Sequence, residues 1–525
     1  MACFFNEKGE TMKVLLNKNI IGTAFKGTTA IRAVTDSHQE ARAESAFLSK
    51  IAKDAEKQNN ILLLNAGDLF GGVYSRDLMS DLYIQFKKSH PNVEVVMTIG
   101  NNDFISVQDK YAPKNPTDKR SPIQFFKDTI KDFEENGINV VCANVKDKDT
   151  GKYPDWIKPY TIVERDGDRL FVTGFCVDRL PNKALNIDVI SQTESFDELK
   201  SAIEAEQPDS IIVLNHDYAN TSRQLFDYAK KQGIKIDLIV GGHDHDNPKV
   251  ESDINLYFPK TFSKSMFEMD LKIRDNIHRL LNIKEVSSDG LPISNEFEAV
   301  VKPYEEKSGI LDKVAPHVLN LPKFYAHPGS LGTFIADGIK DISGVDAAFF
   351  ASNVVRVPLY YKEGADILNY DTRKIITFDS TVQRADLSVE ALKEVLNSAL
   401  ESRLKLGEQN ARFLQCSSNI KIFCEGNSSD KSYVIKQIFL NEEPLLDDNG
   451  NPIDSERIIS CAFDNYIPTD GRSASLANAS KENVLNEQGS KLRIDEVLKR
   501  QLQSAVDKYP KGMTYPKFVL EETIL

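Results

Sequence analysis

Seven side chains of this sequence have the types and spacing to hold metal ions. They are Asp36 and His38 in Asp-Ser-His, Asp68 after Gly67, Asn101 in Gly-Asn-Asn-Asp, His216 in Asn-His-Asp, and His243 and His245 in Gly-Gly-His-Asp-His. Imidazole and carboxylate together suit Zn, Mn, Fe or Ni rather than Ca. Two divalent ions about 3.5–4 Å apart need roughly this many ligands, one of them a bridging carboxylate. The chain has eight histidines; four lie in these motifs, and His90, His278, His317 and His327 are scattered. Asp36 with His38, and His243 with His245, stand two residues apart, a spacing that at a strand end points both side chains to the same side. Taken singly the motifs are ordinary, since an Asp-x-His is usually solvated surface and a Gly-Asp is usually a turn. Their common position carries the argument.

Each motif closes a strand-like run. Apolar, β-rich runs occupy residues 30–35, 61–65, 93–99, 138–143, 170–175, 210–215 and 235–240. Segments with three- and four-residue apolar spacing, at 41–57, 122–135 and 194–206, lie between several of them. This alternation predicts an α/β layered sheet. Five run ends deliver Asp, Asn and His to one sheet edge, where α/β proteins form their sites, and the adjoining glycines allow the backbone to turn sharply.

A second region follows a hydrophilic, helix-like stretch. It holds a helix pattern at 332–341, apolar runs at 345–350, 374–378, 413–416 and 458–462, and a long amphipathic helix at 389–402. The expected organisation is an N-terminal extension (1–27), a metal-bearing domain (28–294), a linker helix (295–325) and a second domain (326–525).

The 525 residues carry 65 Lys and Arg against 78 Asp and Glu, a net charge of −13. Such a chain has no field for steering onto nucleic acid or an anionic membrane. No stretch approaches the ~18 apolar residues of a membrane span. Residues 12–21 are interrupted by Lys and Asn and make a poor secretory signal. Six cysteines (Cys3, Cys142, Cys176, Cys416, Cys424 and Cys461) form no CxxC pair and no disulfide framework. Reduced thiols and a cytoplasmic setting are expected.

The order Asp-x-His, Gly-Asp, Gly-Asn-x-Asp, His, Gly-His-x-His resembles the calcineurin-like metallophosphoesterases. The segment 330–358, with Leu331, Gly332, Ala336 and Asp337, resembles the start of the C-terminal domain of 5′-nucleotidases, as residues 375–383, 413–417 and 463–471 resemble its later parts. The resemblance implies a four-layer α/β/β/α domain followed by a C-terminal α/β domain, and two divalent metal ions (Zn, Mn, Fe or similar). Asp36, His38 and His245 would hold one ion and Asn101, His216 and His243 the other, with Asp68 bridging. A hydroxide between the ions would attack a small phosphate ester in line, a nucleotide foremost. The C-terminal domain would bind that ester through Arg356, Phe378, Tyr466 and Arg472, as a monomer or homodimer whose domains rotate to close the site.

Two departures qualify this. The family's catalytic histidine after the asparagine is Asn102 here, and the aspartate that orients it is Ile105. Asn102 donates a hydrogen bond but brings no proton, so Asp103 and Asp217 are candidates to compensate, beside the plainer reading of each as a supporting or loop residue. In the base-stacking clamp an aromatic is replaced by Arg472, and of the Asn-Gly-Gly-x-x-Arg stretch only Arg356 remains. Two alternatives therefore stand beside the phosphohydrolase: a catalytically weak metal-binding scaffold, and a phosphodiesterase or pyrophosphate-cleaving enzyme.

Overall fold

A computed structural model describes residues 28–105, 122–165, 167–177, 186–245, 250–274, 277–377, 380–406, 413–427, 432–469 and 473–524. The N-terminal extension and Cys3 lie outside the described residues.

The apolar runs of the first domain form two six-stranded sheets. In the first, Ile61–Asn65 pairs in parallel with Thr28–Val34 and with Glu94–Met97, and Ile138–Val140 extends that order. The strand Ser265–Arg274 returns antiparallel beside Thr28–Val34 and forms a hairpin with Ile277–Ser287. In the second, Ser210–His216 lies in parallel between Asp168–Cys176 and Leu238–Gly242. Ile31, Leu62, Leu64, Val96, Val172, Ile212, Leu214 and Val240 fill the space between the sheets. The outer face of the first sheet packs Val34, Leu63 and Val95 against Phe47, Leu48 and Ile51 of helix Ala41–Ala55 and Leu82 and Phe86 of helix Arg76–Ser89. The outer face of the second packs Phe171, Val213 and Ile239 against Phe196 and Leu199 of helix Gln192–Glu206 and Leu225 of helix Ala219–Lys231. The result is the expected α/β/β/α sandwich. Its central strands read as unbroken apolar runs because both of their faces are covered.

The stretch 295–325 is only partly helix. Helix Asn295–Ser308 ends at Gly309, which takes a left-handed φ of 61° at the C-cap. Its Phe297 and Val301, with Ile310, belong to the core of the first domain, whereas Ala315, Val318 and Leu319 belong to that of the second. The chain thus passes from one core to the other over residues 310–315.

The second domain has a five-stranded and a four-stranded sheet. They share a core with helices Ser330–Ser343, Val389–Leu406 and Ile494–Lys508. The apolar run expected at 374–378 is no strand over its described part: Lys374 and Ile375 close helix Asn369–Ile375, and Ile376 and Thr377 follow it outside any strand. Its entry is set by tertiary contact: Asp371 accepts from the Leu368 N–H, and the Asn369 and Tyr370 N–H groups donate to the carbonyls of Asp312 and Ile310. Among the described residues the cysteines are buried and form no disulfide, and no helix is long and apolar enough to cross a membrane.

Candidate metal centre

Parallel pairing aligns the strand ends: Val34 faces Asn65, Asn65 faces Met97, and His216 faces both Gly242 and Cys176. The turns beyond them are tied to each other through the backbone. Asp36 N–H donates to Gly67 O at 2.9 Å, His38 N–H to Asp68 O at 3.0 Å and Gln39 N–H to Leu69 O at 3.0 Å. A side chain at Gly100 would lie 2.2 Å from the Asp68 carboxylate, so glycine is required there. Asp36, His38, Asp68 and His243 adopt left-handed φ of 46°, 46°, 54° and 74°. Such strain costs about 1–3 kcal/mol per residue and persists where the surroundings over-determine it.

All seven expected ligand residues meet at one place, in two groups that share Asp68. In the first, the ligand atoms of Asp36, His38, Asp68 and His245 lie within 4.8 Å of one another. The Nε2 atoms of His38 and His245 face each other at 3.1 Å, and His245 Nε2 lies 3.0 Å from Asp36 Oδ1. In the second, His216 Nε2 lies 3.3 Å from Asp68 Oδ2 and 3.3 Å from Asn101 Oδ1, and His243 Nδ1 lies 2.8 Å from Asn101 Oδ1. The Ala66 carbonyl accepts from His216 Nδ1 at 2.8 Å. That bond leaves Nε2 as the ligand atom, a usual arrangement of metal-binding imidazoles.

The electrostatics fit cations. Burial, with the charges of His245 and Arg356, pulls His38 down to about 4 against Asp68 and Asp36. Burial and the His216 and His245 charges pull His243 down to about 3. Both rings are therefore neutral donors. Burial opposes ionisation of Asp36, yet His245 and His216 outweigh it and hold the carboxyl at about 2. Burial likewise opposes ionisation of Asp68, but His216, His38 and the Asn102 amide hold it well below the usual carboxylate range. His216 goes the other way: burial disfavours its charge, but Asp68 and Asp36 raise it to about 10. Two buried carboxylates beside the neutral rings of His38 and His243 form a donor set that divalent cations complete, and a cation would displace the proton that Asp68 and Asp36 hold on His216.

Asn102 donates its backbone N–H to Asp68 Oδ1 at 2.7 Å and its amide Nδ2 to Asp68 Oδ2 at 2.6 Å. Asp103 turns away from the ligand atoms. Its carboxylate accepts the backbone N–H groups of Gly100, Phe70 and Asp68 at 2.7, 2.9 and 3.1 Å, and burial together with the Asp68 charge raises it to about 7.

Of the substrate residues expected in the second domain, Arg356 and Tyr466 sit at one sheet edge. The strands Ala347–Ala351 and Ile458–Asp464 run in parallel, and Asp464 joins their ends by accepting from the Ala351 and Tyr466 N–H groups. Arg356 follows the first strand, and its carbonyl accepts Lys323 Nζ at 2.7 Å. Its charge reaches His38 across the domain boundary. Phe378 and Arg472 lie outside the described residues.

The structure adds residues not singled out by their sequence. Glu40, next to the His38 turn, accepts the Tyr370 hydroxyl and pairs with Lys374 Nζ at 3.0 Å, which docks helix Asn369–Ile375 on the first domain. Tyr218 stands edge-on to His243 with ring centres 4.8 Å apart. Phe262 lies 5.2 Å from the His38 ring and 5.8 Å from the His245 ring. Beneath them Glu44 accepts from Ser37, Tyr83 and Ser263. Glu40 and Tyr218, each two residues after a histidine of the motifs, have a motif beside them that hints at their place; Phe262 and Glu44 do not.

Residues 30–247 match the calcineurin-like phosphoesterase family, and residues 313–477 match the 5′-nucleotidase C-terminal domain. The chain is a two-domain metallophosphoesterase of the 5′-nucleotidase family. It is 23% identical over 427 residues to the trifunctional nucleotide phosphoesterase protein YfkN of Bacillus subtilis, an alignment that takes in 70% of this chain and 27% of that protein. The chain thus spans about a quarter of that relative. It is 22% identical over 477 residues to an apyrase of Tabanus yao, covering 79% of this chain and 78% of the apyrase. A 5′-nucleotidase precursor from Thermus thermophilus shares the fold with a TM-score of 0.66 at 16% identity, covering 95% of this chain and 99% of that one.

Proposed function

We propose that the protein hydrolyses a small phosphate ester, a nucleotide foremost, with two divalent cations held by the seven clustered ligands. The observation that carries this reading is the sharing of Asp68 between two ligand groups, 3.7 Å from His38 Nε2 on one side and 3.3 Å from His216 Nε2 on the other. Asp36, His38 and His245 would hold one ion, and Asn101, His216 and His243 the other. When bound, such a pair supplies Lewis acidity, an activated water and neutralisation of phosphoryl charge.

The chain supplies orientation. The Ala66 carbonyl fixes the His216 tautomer. Asp103 acts as a positioning residue, holding the Gly100 and Asp68 amides in place. The Arg356 guanidinium, whose field reaches His38, suits two phosphate oxygens in a forked pair of hydrogen bonds. Tyr466, 42% exposed at the same edge, offers a ring face to a base.

Asn102 favours a second reading within this class. An amide cannot deliver a proton to a departing alkoxide, and general acid catalysis typically contributes about 10²–10⁴-fold. Phosphoanhydrides and activated diesters, whose leaving groups depart as stable anions, suffer least from its presence. A screen of the purified protein over nucleoside monophosphates, nucleoside di- and triphosphates, dinucleotides and nitrophenyl phosphodiesters, with elemental analysis of bound metal, tests both. Turnover that depends on transition metal supports the proposal. Metal-free protein, or metal-loaded protein inactive on every ester, rejects it, and the latter outcome favours a scaffold.

A further inference from the structure

We propose that Glu44 is a positioning residue of the metal centre: one buried carboxylate ties together the Asp36–His38 turn, the Phe262–Ser263 turn packed on the His38 and His245 rings and, through Tyr83 and Asn65, the Gly67–Asp68 turn, with no hydrogen bond to a ligand side chain among the described residues. The inference rests on the seven-residue site above and extends its machinery into helix Ala41–Ala55.

Glu44 is 1% exposed and lies on the face of that helix that packs against the first sheet. A carboxylate there is expensive unless its oxygens are satisfied. Three hydroxyls satisfy them, each from a different segment. Ser37 Oγ donates to Oε2 at 2.8 Å, Ser263 Oγ to Oε2 at 2.6 Å, and the Tyr83 hydroxyl to Oε1. Ser37 stands between the ligands Asp36 and His38. Ser263 follows Phe262, whose ring packs on His38 and His245 and whose N–H donates to the Asp36 carbonyl at 2.7 Å. Tyr83 accepts Asn65 Nδ2 at 3.0 Å, and Asn65 Oδ1 accepts the Gly67 N–H at 3.0 Å, beside Asp68.

All three turns hold left-handed residues. Phe262 and Ser263 have φ of 60° and 48°, in addition to Asp36, His38 and Asp68. Neither a bulky aromatic nor a serine relaxes there unaided, so the strain needs an anchor. Helix Ala41–Ala55 does not need Glu44 to dock, because Phe47, Leu48 and Ile51 already bury its apolar face. The carboxylate therefore serves the turns. Outer partners of metal ligands typically govern about 10–100-fold in metal affinity or activity.

The test compares Glu44→Ala and Glu44→Gln with Leu48→Ala, a cavity variant on the same helix, in the full chain. Mn²⁺ affinity is read by calorimetric titration of metal-stripped protein, alongside Tm without metal and turnover as Mn²⁺ is raised. Glu44→Ala should weaken Mn²⁺ binding about 10–100-fold, with turnover recovering at high Mn²⁺. Leu48→Ala should lower Tm at parental affinity. Parental Mn²⁺ affinity in both Glu44 variants, or equal loss of affinity in Leu48→Ala, overturns the proposal. If Glu44→Ala does not fold, Ser37→Ala and Ser263→Ala decide, since parental affinity in both overturns it equally. The affinity is measured without substrate, so a parent that binds Mn²⁺ but hydrolyses nothing rejects the proposed function and leaves this inference standing.

Discussion

Gly72→Ala should cost the protein its metal rather than only its stability. A Cβ built on Gly72 would stand 1.3 Å from the carbonyl oxygen of His38 and 2.1 Å from its carbonyl carbon. Non-bonded heavy atoms settle at roughly 3.5–4 Å, so the 70–73 turn and the His38 turn must part by about 2 Å. Gly72 is not among the residues with left-handed φ, so the substitution adds a contact without adding backbone strain. The parting breaks bonds that join the two turns: Gly72 N–H to Gln39 Oε1 at 2.7 Å, Val73 N–H to His38 O at 3.3 Å, and Tyr74 N–H to Gln39 O at 3.1 Å. At about 1–3 kcal/mol for each buried group left unsatisfied, the losses at the buried Val73 and Tyr74 amides cost roughly 2–6 kcal/mol. The displacement matters more, because metal ligation tolerates only about ±0.2 Å in its distances. Elemental analysis and Mn²⁺ titration should show binding at the Asp36–His38–His245 group lost or weakened at least tenfold, with turnover falling in step. Parental metal content and turnover in Gly72→Ala would refute the idea that the His38 carbonyl is pinned there.

Other substitutions probe separate parts of the site. Asp68→Asn removes the shared charge and should abolish both metal retention and activity; turnover persisting in metal-stripped Asp68→Asn would disprove the bridging role. Asn102→His should raise hydrolysis of phosphomonoesters with alkoxide leaving groups by at least about tenfold, towards the range of a general acid. An unchanged or lower rate on every monoester tested counts against it. Arg356→Ala should raise KM for a nucleotide by roughly ten- to a hundredfold, the equivalent of a charged hydrogen bond worth about 1.5–3 kcal/mol, and Arg356→Lys should recover only part of it. Equal KM in all three proteins removes Arg356 from the binding site.

The clustering of the seven residues was legible because each stands directly after an apolar run and beside a glycine or a second polar residue. Strand ends are the part of an α/β layer whose position follows from local pattern alone. What supports the ligands was not legible. Glu44 meets Tyr83 39 positions on and Ser263 219 positions on, and no periodicity links them. Asp103 illustrates the limit at close range. Its place in Gly-Asn-Asn-Asp marks an acid near the cage, but only the fold shows the carboxylate turned to three backbone amides. Residues 374–378 have the composition of a strand, and their start belongs to a helix because Asn369 and Tyr370 are anchored to the 310–312 backbone. That anchoring is tertiary and overrides weak local preference.

The buried cage itself argues against an idle scaffold. Asp36 and Asp68 are at most 1% exposed, and among the described residues their side-chain partners are imidazoles, the Thr35 hydroxyl and the Asn102 amide rather than lysines or arginines. Removing such carboxylates from water costs several kcal/mol apiece, a charged His216 answers only one of the two, and apolar residues would fill the same volume more cheaply. A fold that had given up cations would be more stable without this set. Under the proposed function, Asn102 would mark a change of reaction scope. A cation pair serves the attacking side of the phosphorus, whereas proton delivery serves the leaving side, and the chain has altered only the latter. A departing phosphate, with a second pKa of about 6, needs no proton at neutral pH, while an alkoxide does. The parent's rate should therefore fall steeply as leaving-group pKa rises, and Asn102→His should flatten that slope, a signature that a general loss of activity does not produce.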